Sequence, residues 1–289
     1  FIIHSFLRCP LERTPVSRVL QSSFPKRRLC GWSTWRSDMI DIIEHGSIRE
    51  LRLARPPANA LSPELLAELS AQIVSAPKDG VRALVVSGAE GMFTGGLDVP
   101  LLLKLDRDGM SHALELFFGA MEALAGSEIP VAAAITGHSP AGGAVLSLFC
   151  DYRVMADGPF VIGLNEVQVG IPMPSIVADA LARVVGQRQT ELLCQTGRLL
   201  TPGEALSIGL VDRVAPVKEV VGAAVEWCAA FTGLPPHALA LTRKTVRAGL
   251  IEIVQRSRSV DAEDMTREWF SPAVQGPLHA LAQQLAKKG

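Results

Sequence analysis

The 289-residue sequence predicts an α/β protein whose strands are connected by helical crossovers. Three observations lead to this class. Short β-branched and apolar runs alternate with segments of helical periodicity. Glycine-rich loops follow two of the predicted strands, and from about Pro235 onward the pattern is helical only. We therefore expect a core over residues 39–234 and a helical C-terminal region over 235–289, with Pro235-Pro236 at the boundary.

The first half of the core reads as a hairpin, a helix and two buried strands. Two β-rich runs in 41–53 flank the turn His45-Gly46-Ser47, which is typical of a hairpin. Ser62, followed by Glu64 and a Leu/Ile periodicity, predicts a capped amphipathic helix that ends near Ile73. The other elements expected here are strands at 81–87 and 130–135, a glycine-rich loop at 88–96, a helix capped by Asp98, and a helix at 114–124.

The second half continues the alternation of strands and helices. The glycine-rich loop 137–143 is expected to lead into a helix that runs through Cys150. Thr201-Pro-Gly-Glu-Ala205 has the pattern of a capped helix start. Asp151 and Asp157 are expected to cap a strand or to pair with Arg153. The remaining elements are strands at 152–156, 161–164 and 210–214, and helices at 175–185 and 187–196.

Composition and charge exclude several classes of protein. A net charge of −1 argues against nucleic acid or an anionic membrane as the main partner. The sequence has no run of 18 apolar residues, so it predicts no spanning helix. The five cysteines are irregularly spaced and include no C-x-x-C pair, which favours reduced thiols over disulfides or a zinc site. We therefore expect a cytoplasmic protein.

Residues 1–38 differ in composition from the rest of the chain. Residues 1–37 are rich in arginine and serine and contain a single acidic residue, Glu12. Two interpretations remain open. The segment is either an extension upstream of a natural start at Met39, outside the core, or a transit peptide, which would place the protein in the mitochondrial matrix.

The two glycine-rich loops are suited to binding an oxygen that becomes negatively charged. Glycine lets peptide N–H groups face a ligand without a side chain in the way, and two such groups form an oxyanion hole. The alternative is that both loops are simply tight turns between strands and helices. The sequence lacks the phosphate-binding G-x-G-x-x-G and G-x-x-x-x-G-K-[ST] patterns and the G-x-S-x-G elbow, although Ser139 is adjacent to His138.

Glu166 is the candidate proton-transfer group. It follows Ile-Gly-Leu-Asn in otherwise apolar surroundings, where loss of water raises a carboxyl pKa towards neutrality. The alternative is a capping or surface glutamate.

Taken in order, the motifs of this chain resemble those of the crotonase (enoyl-CoA hydratase/isomerase) superfamily. The resemblance covers the chain from about Met39 to the C-terminus and is closest to the mitochondrial-type Δ3,Δ2-enoyl-CoA isomerases. The segments that carry it are Arg55-Pro-Pro-Ala-Asn-Ala-Leu61, Gly91-Met-Phe-Thr-Gly-Gly-Leu-Asp98, Pro130-Val-Ala-Ala-Ala-Ile-Thr-Gly137, Pro140-Ala-Gly-Gly143, Cys150-Asp-Tyr-Arg-Val-Met-Ala-Asp157, Ile162-Gly-Leu-Asn-Glu166, Gly170-Ile-Pro172, Gly197-Arg-Leu-Leu-Thr-Pro-Gly-Glu-Ala205 and Gly209-Leu-Val-Asp212.

The resemblance implies a ClpP/crotonase-type spiral of ββα units, a helical trimerisation region, and a homotrimer or hexamer. It implies an acyl-CoA thioester as substrate, with no metal and no further cofactor. The oxyanion donors would be the amides of Leu97 and Gly142, with Glu166 as acid and base. The residues that bind the coenzyme A thioester would be Gly96, Leu97 and Gly142, together with the loop Ala58, Asn59 and Ala60, which would hold the adenine end of coenzyme A.

One position separates two reactions of the family. Hydratases use two glutamates, and Val145 stands where the first would be. Shifting a double bond needs only one base, so the sequence favours a Δ3-to-Δ2 enoyl-CoA isomerase of fatty-acid β-oxidation. The alternatives are a hydratase or another crotonase-family reaction, with a second acid from elsewhere in the chain, for instance Asp98 or Glu115, and a non-catalytic acyl-CoA-binding protein.

Overall fold

Ten strands form two sheets in the part of the chain that the structure describes, which is residues 35–36 and 39–286 of a computed structural model. These residues belong to the unit Trp32–Gly289. The larger sheet has the order β1-β2-β3-β4-β6-β8-β10, and the smaller one has the order β5-β7-β9. The strands are β1 (Trp35–Arg36), β2 (Ile40–His45), β3 (Ile48–Leu53), β4 (Ala83–Ser87), β5 (Gly91–Met92), β6 (Val131–Ile135), β7 (Gly137–Pro140), β8 (Tyr152–Ala156), β9 (Ile162–Gly163) and β10 (Arg213–Ala215).

Eleven α-helices accompany these strands in the described residues. Three short 3₁₀ turns, Ala76–Asp79, Glu166–Val169 and Val217–Glu219, complete the secondary structure. The helices are α1 (Pro63–Ser75), α2 (Val99–Leu102), α3 (Arg107–Gly126), α4 (Gly142–Leu148), α5 (Ser175–Val185), α6 (Gln187–Thr196), α7 (Pro202–Ser207), α8 (Val220–Thr232), α9 (Pro236–Val246), α10 (Ala248–Trp269) and α11 (Pro272–Ala286).

The larger sheet is antiparallel from β1 to β3 and parallel from β3 to β10. Its central strands are covered on both faces, because Leu84 and Val86 of β4 enter the main core while Ala83 and Val85 face α8. Such strands are continuous apolar runs rather than alternating ones. The expected α/β class with a parallel sheet is confirmed.

Two strands of the smaller sheet, β5 and β7, lie in segments that the sequence predicts as loops, whereas β9 lies within the predicted strand 161–164. β5 and β7 run parallel, with Gly91 opposite Gly137 and Met92 opposite His138. A Cβ atom on Gly137 would lie 1.9 Å from the carbonyl carbon of Gly91, so only glycine fits there. The prediction of a loop over 137–143 is therefore wrong in its first half, because pairing with distant strands overrides the local glycine and proline signal.

Several locally encoded elements are as expected. The hairpin, the strands β4, β6 and β8, and the bounds of α5 and α6 are confirmed. Ser62 caps α1 by accepting from the Leu65 amide, and Asp98 caps α2 through the Leu101 amide. Thr201 and Glu204 form the reciprocal capping box of α7.

Other boundaries differ from those expected. α3 begins at Arg107 rather than at residue 114, because Asp106 caps it through the Gly109 amide. The last strand covers 213–215 rather than 210–214, and α4 ends at Leu148 rather than at Cys150. α8 was not predicted, since its nearly continuous run of apolar residues shows no clear helical periodicity.

The helices after Pro235 are fastened to the core by buried polar contacts. Asp151 pairs with Arg243 at 2.8 Å and with Arg247 at 2.6 Å, while Arg153 pairs with Asp212 at 3.1 Å. Of the two roles expected for Asp151, the pair with Arg153 is wrong, because residues far along the chain supply the cations. The capping role is confirmed, since Asp151 Oδ2 accepts from the Val131 amide at the start of β6 at 2.8 Å. Asp261 of α10 caps α5, accepting from the Ile176 amide at 2.7 Å.

The expected extension, residues 1–38, lies outside the described residues except for β1, which pairs with β2. Among the described cysteines, Cys150, Cys194 and Cys228 are free thiols. No helix of the described residues is long and apolar enough to span a membrane.

Candidate active site

The two glycine-rich segments meet at the start of α4. A Cβ atom on Gly142 would lie 3.1 Å from Gly96 Cα and 3.4 Å from the Leu97 nitrogen. A Cβ atom on Gly96 would lie 3.1 Å from the Gly142 nitrogen. The structure therefore brings Gly96, Leu97 and Gly142 together, and side chains at either glycine would push the two backbones apart.

The directions of the Leu97 and Gly142 amides are fixed by hydrogen bonds to the carbonyl groups of the same peptide units. The Gly96 carbonyl accepts from the Leu61 amide at 2.8 Å, and the Ala141 carbonyl accepts from the Val145 amide at 2.9 Å. In a trans peptide the N–H points opposite to the C=O, so the amides of Leu97 and Gly142 point away from these partners. Neither amide donates to another of the described residues, which leaves both available to a ligand oxygen.

Ala141 has a backbone conformation that is rare outside glycine, with φ of 47° and ψ of −118°. Such strain persists only where the surroundings hold it in place, and it clusters at functional sites. The Ala141 amide donates to the Gly163 carbonyl at 2.8 Å. This bond connects the start of α4 to β9, which leads directly to Glu166.

Glu166 opens the 3₁₀ turn Glu166–Val169 and is only 8% exposed. Burial raises the pKa of its carboxyl from an ordinary value of 4.5 to about 7. Its Oε2 atom is buried and has no hydrogen-bond partner among the described residues, and the same is true of Asn165 Oδ1. A carboxyl of this kind exchanges a proton readily near neutral pH.

A helix from the far end of the chain packs next to the site. α11 packs against the 3₁₀ turn and against α2. A Cβ atom on Gly170 would lie 3.0 Å from Cβ and Cγ of Pro277. α11 therefore packs on the segment that carries Glu166.

The loop that contains Ala58, Asn59 and Ala60 lies against the first glycine-rich segment. Ala58 and Ala60 are half-buried, whereas Asn59 is buried and its side chain donates to the Phe93 carbonyl at 3.1 Å. The Ala58 carbonyl accepts from the Gly95 amide at 2.7 Å. The side chain of Asn59 is thus used to fix the loop, a role that the sequence analysis did not assign.

The positions considered for a second acid lie in very different surroundings. Asp98 pairs with Arg55 at 2.6 Å while it caps α2, so both of its oxygens are engaged. The Glu115 side chain is 60% exposed on α3. Val145 is 1% exposed and belongs to the main core.

This geometry agrees with the comparison to known families. The family model described as enoyl-CoA hydratase/isomerase matches residues 44–277. The chain belongs to the enoyl-CoA hydratase/isomerase family. The crotonase resemblance expected from the motifs is thereby confirmed.

Individual relatives include enzymes named for both reactions. The mitochondrial enoyl-CoA delta isomerase 1 of Mus musculus is 34% identical over 244 residues, which cover 82% of this chain and 83% of that one. A probable enoyl-CoA hydratase of Mycobacterium avium is 31% identical over 222 residues, which cover 76% and 86%. The crystal structure of human mitochondrial delta3-delta2-enoyl-CoA isomerase matches with a TM-score of 0.82 and 29% identity, covering 87% of this chain and 99% of that chain.

The structural match confirms the crotonase fold, including a parallel sheet followed by a helical C-terminal region.

Thr94 was not predicted as a site residue. Its side chain is fully buried between the loop that contains Asn59 and the start of α4. Its hydroxyl donates to the Asn59 carbonyl at 2.7 Å and accepts from the Gly96 amide at 3.1 Å. The sequence feature that could have identified Thr94 is its position in the motif Phe-Thr-Gly-Gly, directly before the glycine pair.

Proposed function

We propose that this protein is a Δ3-to-Δ2 enoyl-CoA isomerase of fatty-acid β-oxidation. The observation that carries the proposal is the single buried carboxyl of Glu166, with a pKa raised to about 7 by burial. It stands on a segment bonded to the loop that presents the free Gly142 amide. The core residue Val145 at the position of the first hydratase glutamate supports isomerisation over hydration.

The proposed reaction moves one proton. The thioester oxygen of a 3-enoyl-CoA accepts hydrogen bonds from the amides of Leu97 and Gly142. Ionised Glu166 removes a proton from C2, and the electron pair moves into a dienolate whose negative charge rests on the thioester oxygen. The protonated Glu166 then returns that proton to C4, which leaves the double bond between C2 and C3. Each oxyanion donor contributes about 10²–10³-fold to such a step.

A pKa near neutrality suits both halves of this transfer. A strongly acidic carboxyl would be a poor base, and a weakly acidic one would be a poor acid. All groups in the scheme are a side chain and backbone amides, so we propose that it needs neither a metal nor a cofactor beyond the coenzyme A of the substrate.

Hydration is the second candidate, and the mycobacterial relative named as a probable hydratase favours it. Adding water across a double bond requires a second group to activate the water. In this chain that group would have to be Asp98, which is already paired with Arg55, or the exposed Glu115.

We also propose that the protein is a homotrimer or hexamer assembled through the C-terminal helices. Leu241 and Val246 of α9 and Val260 of α10 are each more than half exposed in the single chain. Light scattering after size-exclusion chromatography measures the assembly directly. For the compartment, we propose the cytoplasm, with the mitochondrial matrix as the alternative if residues 1–38 are a transit peptide.

A paired assay with purified protein tests the function. One reaction contains trans-3-hexenoyl-CoA and follows formation of the conjugated 2-enoyl thioester, and the other contains crotonyl-CoA and follows loss of conjugation. Isomerisation without hydration, abolished by Glu166→Gln, supports the proposal. Fast hydration identifies a hydratase instead. Tight binding without turnover in either reaction, unchanged by the substitution, identifies a non-catalytic acyl-CoA-binding protein.

A further inference from the structure

We propose that Thr94, assisted by Asn59, is a positioning residue that holds the Leu97 amide in the direction required of an oxyanion donor. The inference rests on the proposed function, in which that amide binds the thioester oxygen. Both residues are buried, and the hydrogen bonds at issue are made within the protein.

The backbone conformation of Gly96 sets the direction of the Leu97 amide. Its φ is +88°, and with no Cβ atom it has more accessible backbone conformations than any other residue type. Rotation at Gly96 would turn the following peptide and swing the Leu97 N–H away from the site. Two hydrogen bonds oppose this rotation. The Gly96 carbonyl accepts from the Leu61 amide, and the Gly96 amide donates to the Thr94 hydroxyl at 3.1 Å.

Thr94 lies between the loop that contains Asn59 and the start of α4. While its hydroxyl accepts from Gly96, it donates to the carbonyl of Asn59 at 2.7 Å. Its methyl group faces α4, since a Cβ atom on Gly143 would lie 3.0 Å from Thr94 Cγ2. One fully buried side chain therefore contacts the segments that carry both oxyanion amides.

The Asn59 carbonyl, which accepts from Thr94, is itself held in place by the conformation and side-chain hydrogen bonds of Asn59. Asn59 has φ of +49°, in the left-handed region that asparagine and glycine tolerate. Its side-chain oxygen accepts from the Arg55 amide at 3.0 Å, and its side-chain nitrogen donates to the Phe93 carbonyl at 3.1 Å. These bonds fasten Asn59 both to Arg55, at the start of its own loop, and to Phe93 in the first glycine-rich segment.

The chain offers a matched pair of variants at Thr94. Thr94→Val keeps the shape and the methyl contact with α4 but removes the hydroxyl. Thr94→Ser keeps the hydroxyl and removes the methyl group. An amide displaced from its position stabilises the transition state less, so we expect Thr94→Val to lower kcat for trans-3-hexenoyl-CoA by about 10- to 100-fold. KM should change by no more than about threefold, because the loss falls on the transition state rather than on ground-state binding.

A spectroscopic readout separates positioning from a general loss of structure. Hydrogen bonds to the thioester oxygen polarise a conjugated ligand, so bound trans-2,trans-4-hexadienoyl-CoA should absorb at a longer wavelength than the free compound. We expect Thr94→Val to reduce this shift and Thr94→Ser to retain both the shift and most of kcat. Thermal unfolding of each variant reports whether the fold is intact.

If Thr94→Val does not fold, Asn59→Gly replaces it, since glycine keeps the positive φ and removes the side-chain bonds. The proposal is overturned if the hydroxyl-free variant keeps the wild-type shift and kcat, or if Thr94→Ser is impaired as strongly as Thr94→Val. A wild-type protein that shifts the ligand spectrum without isomerising 3-hexenoyl-CoA refutes the proposed function alone, because the shift still reports the positioning. Absence of any shift in the wild type overturns the positioning role.

Discussion

Replacing Glu166 with glutamine is expected to stabilise the folded chain at neutral pH while it removes the acid–base group. The carboxyl is 8% exposed, and one of its oxygens has no partner among the described residues. Ionising such a group within the fold costs free energy that glutamine, which stays neutral, does not incur. The expected trade of stability for activity is common at catalytic sites.

The size and pH dependence of the gain follow from the pKa of Glu166, which burial raises from 4.5 to about 7. Below pH 4.5 the carboxyl is protonated in both the folded and the unfolded chain, so its ionisation makes no difference to stability. As the pH rises towards 7, the unfolded chain releases the proton before the folded chain does, and the free energy of unfolding falls. The total loss is ~3 kcal/mol, at ~1.4 kcal/mol for each unit of pKa.

Urea denaturation of the wild type and Glu166→Gln at pH 4.5 and at pH 8 measures this effect. We expect the variant to be more stable at pH 8 and the difference to disappear towards pH 4.5. Glu252→Gln, at an exposed position on α10, is the matched control and should show no comparable gain. Equal stability of wild type and Glu166→Gln at pH 8, or a gain that persists unchanged at low pH, would refute the reasoning.

The other predictions concern the reaction and the buried contacts. kcat/KM for a 3-enoyl-CoA should fall as the pH drops through about 7, since Glu166 must be ionised to act as a base, and a rate unchanged down to pH 5.5 would contradict this. Asp151→Asn leaves the buried Arg243 and the half-buried Arg247 without their anion and should cost roughly 3–5 kcal/mol in urea denaturation. Asp261→Ala removes the cap of α5 and should cost about 1–2 kcal/mol by the same measurement. Gly137→Ala places a methyl group against the Gly91 backbone, so it should abolish soluble expression, and normal yield would show that the two strands can separate.

Elements specified by neighbouring residues were predictable from the sequence. Ser62 caps α1 and the Thr201 capping box begins α7, because both signals act within a few residues. β7 was not predictable, since glycine and proline disfavour a strand unless distant partners fit against it. α8 was missed because it packs on the sheet without a clear polar face.

Part of the candidate site was also predictable from the sequence. The glycine-rich loops and Glu166 were found from residue type and order, and the structure places the two loops side by side. Thr94 was missed, since a threonine in a loop gives no sign of its hydrogen bonds until the second loop is in place.

The family, the glycines that allow close backbone contact, and the presence of one carboxyl without a second at residue 145 can all be recognised in the amino-acid sequence. The direction of the Leu97 and Gly142 amides and the raised pKa of Glu166 become visible in the folded chain. The reason is physical. The direction of the Leu97 amide depends on a hydrogen bond to Leu61 in another segment, and the desolvation of Glu166 depends on everything packed around its carboxyl.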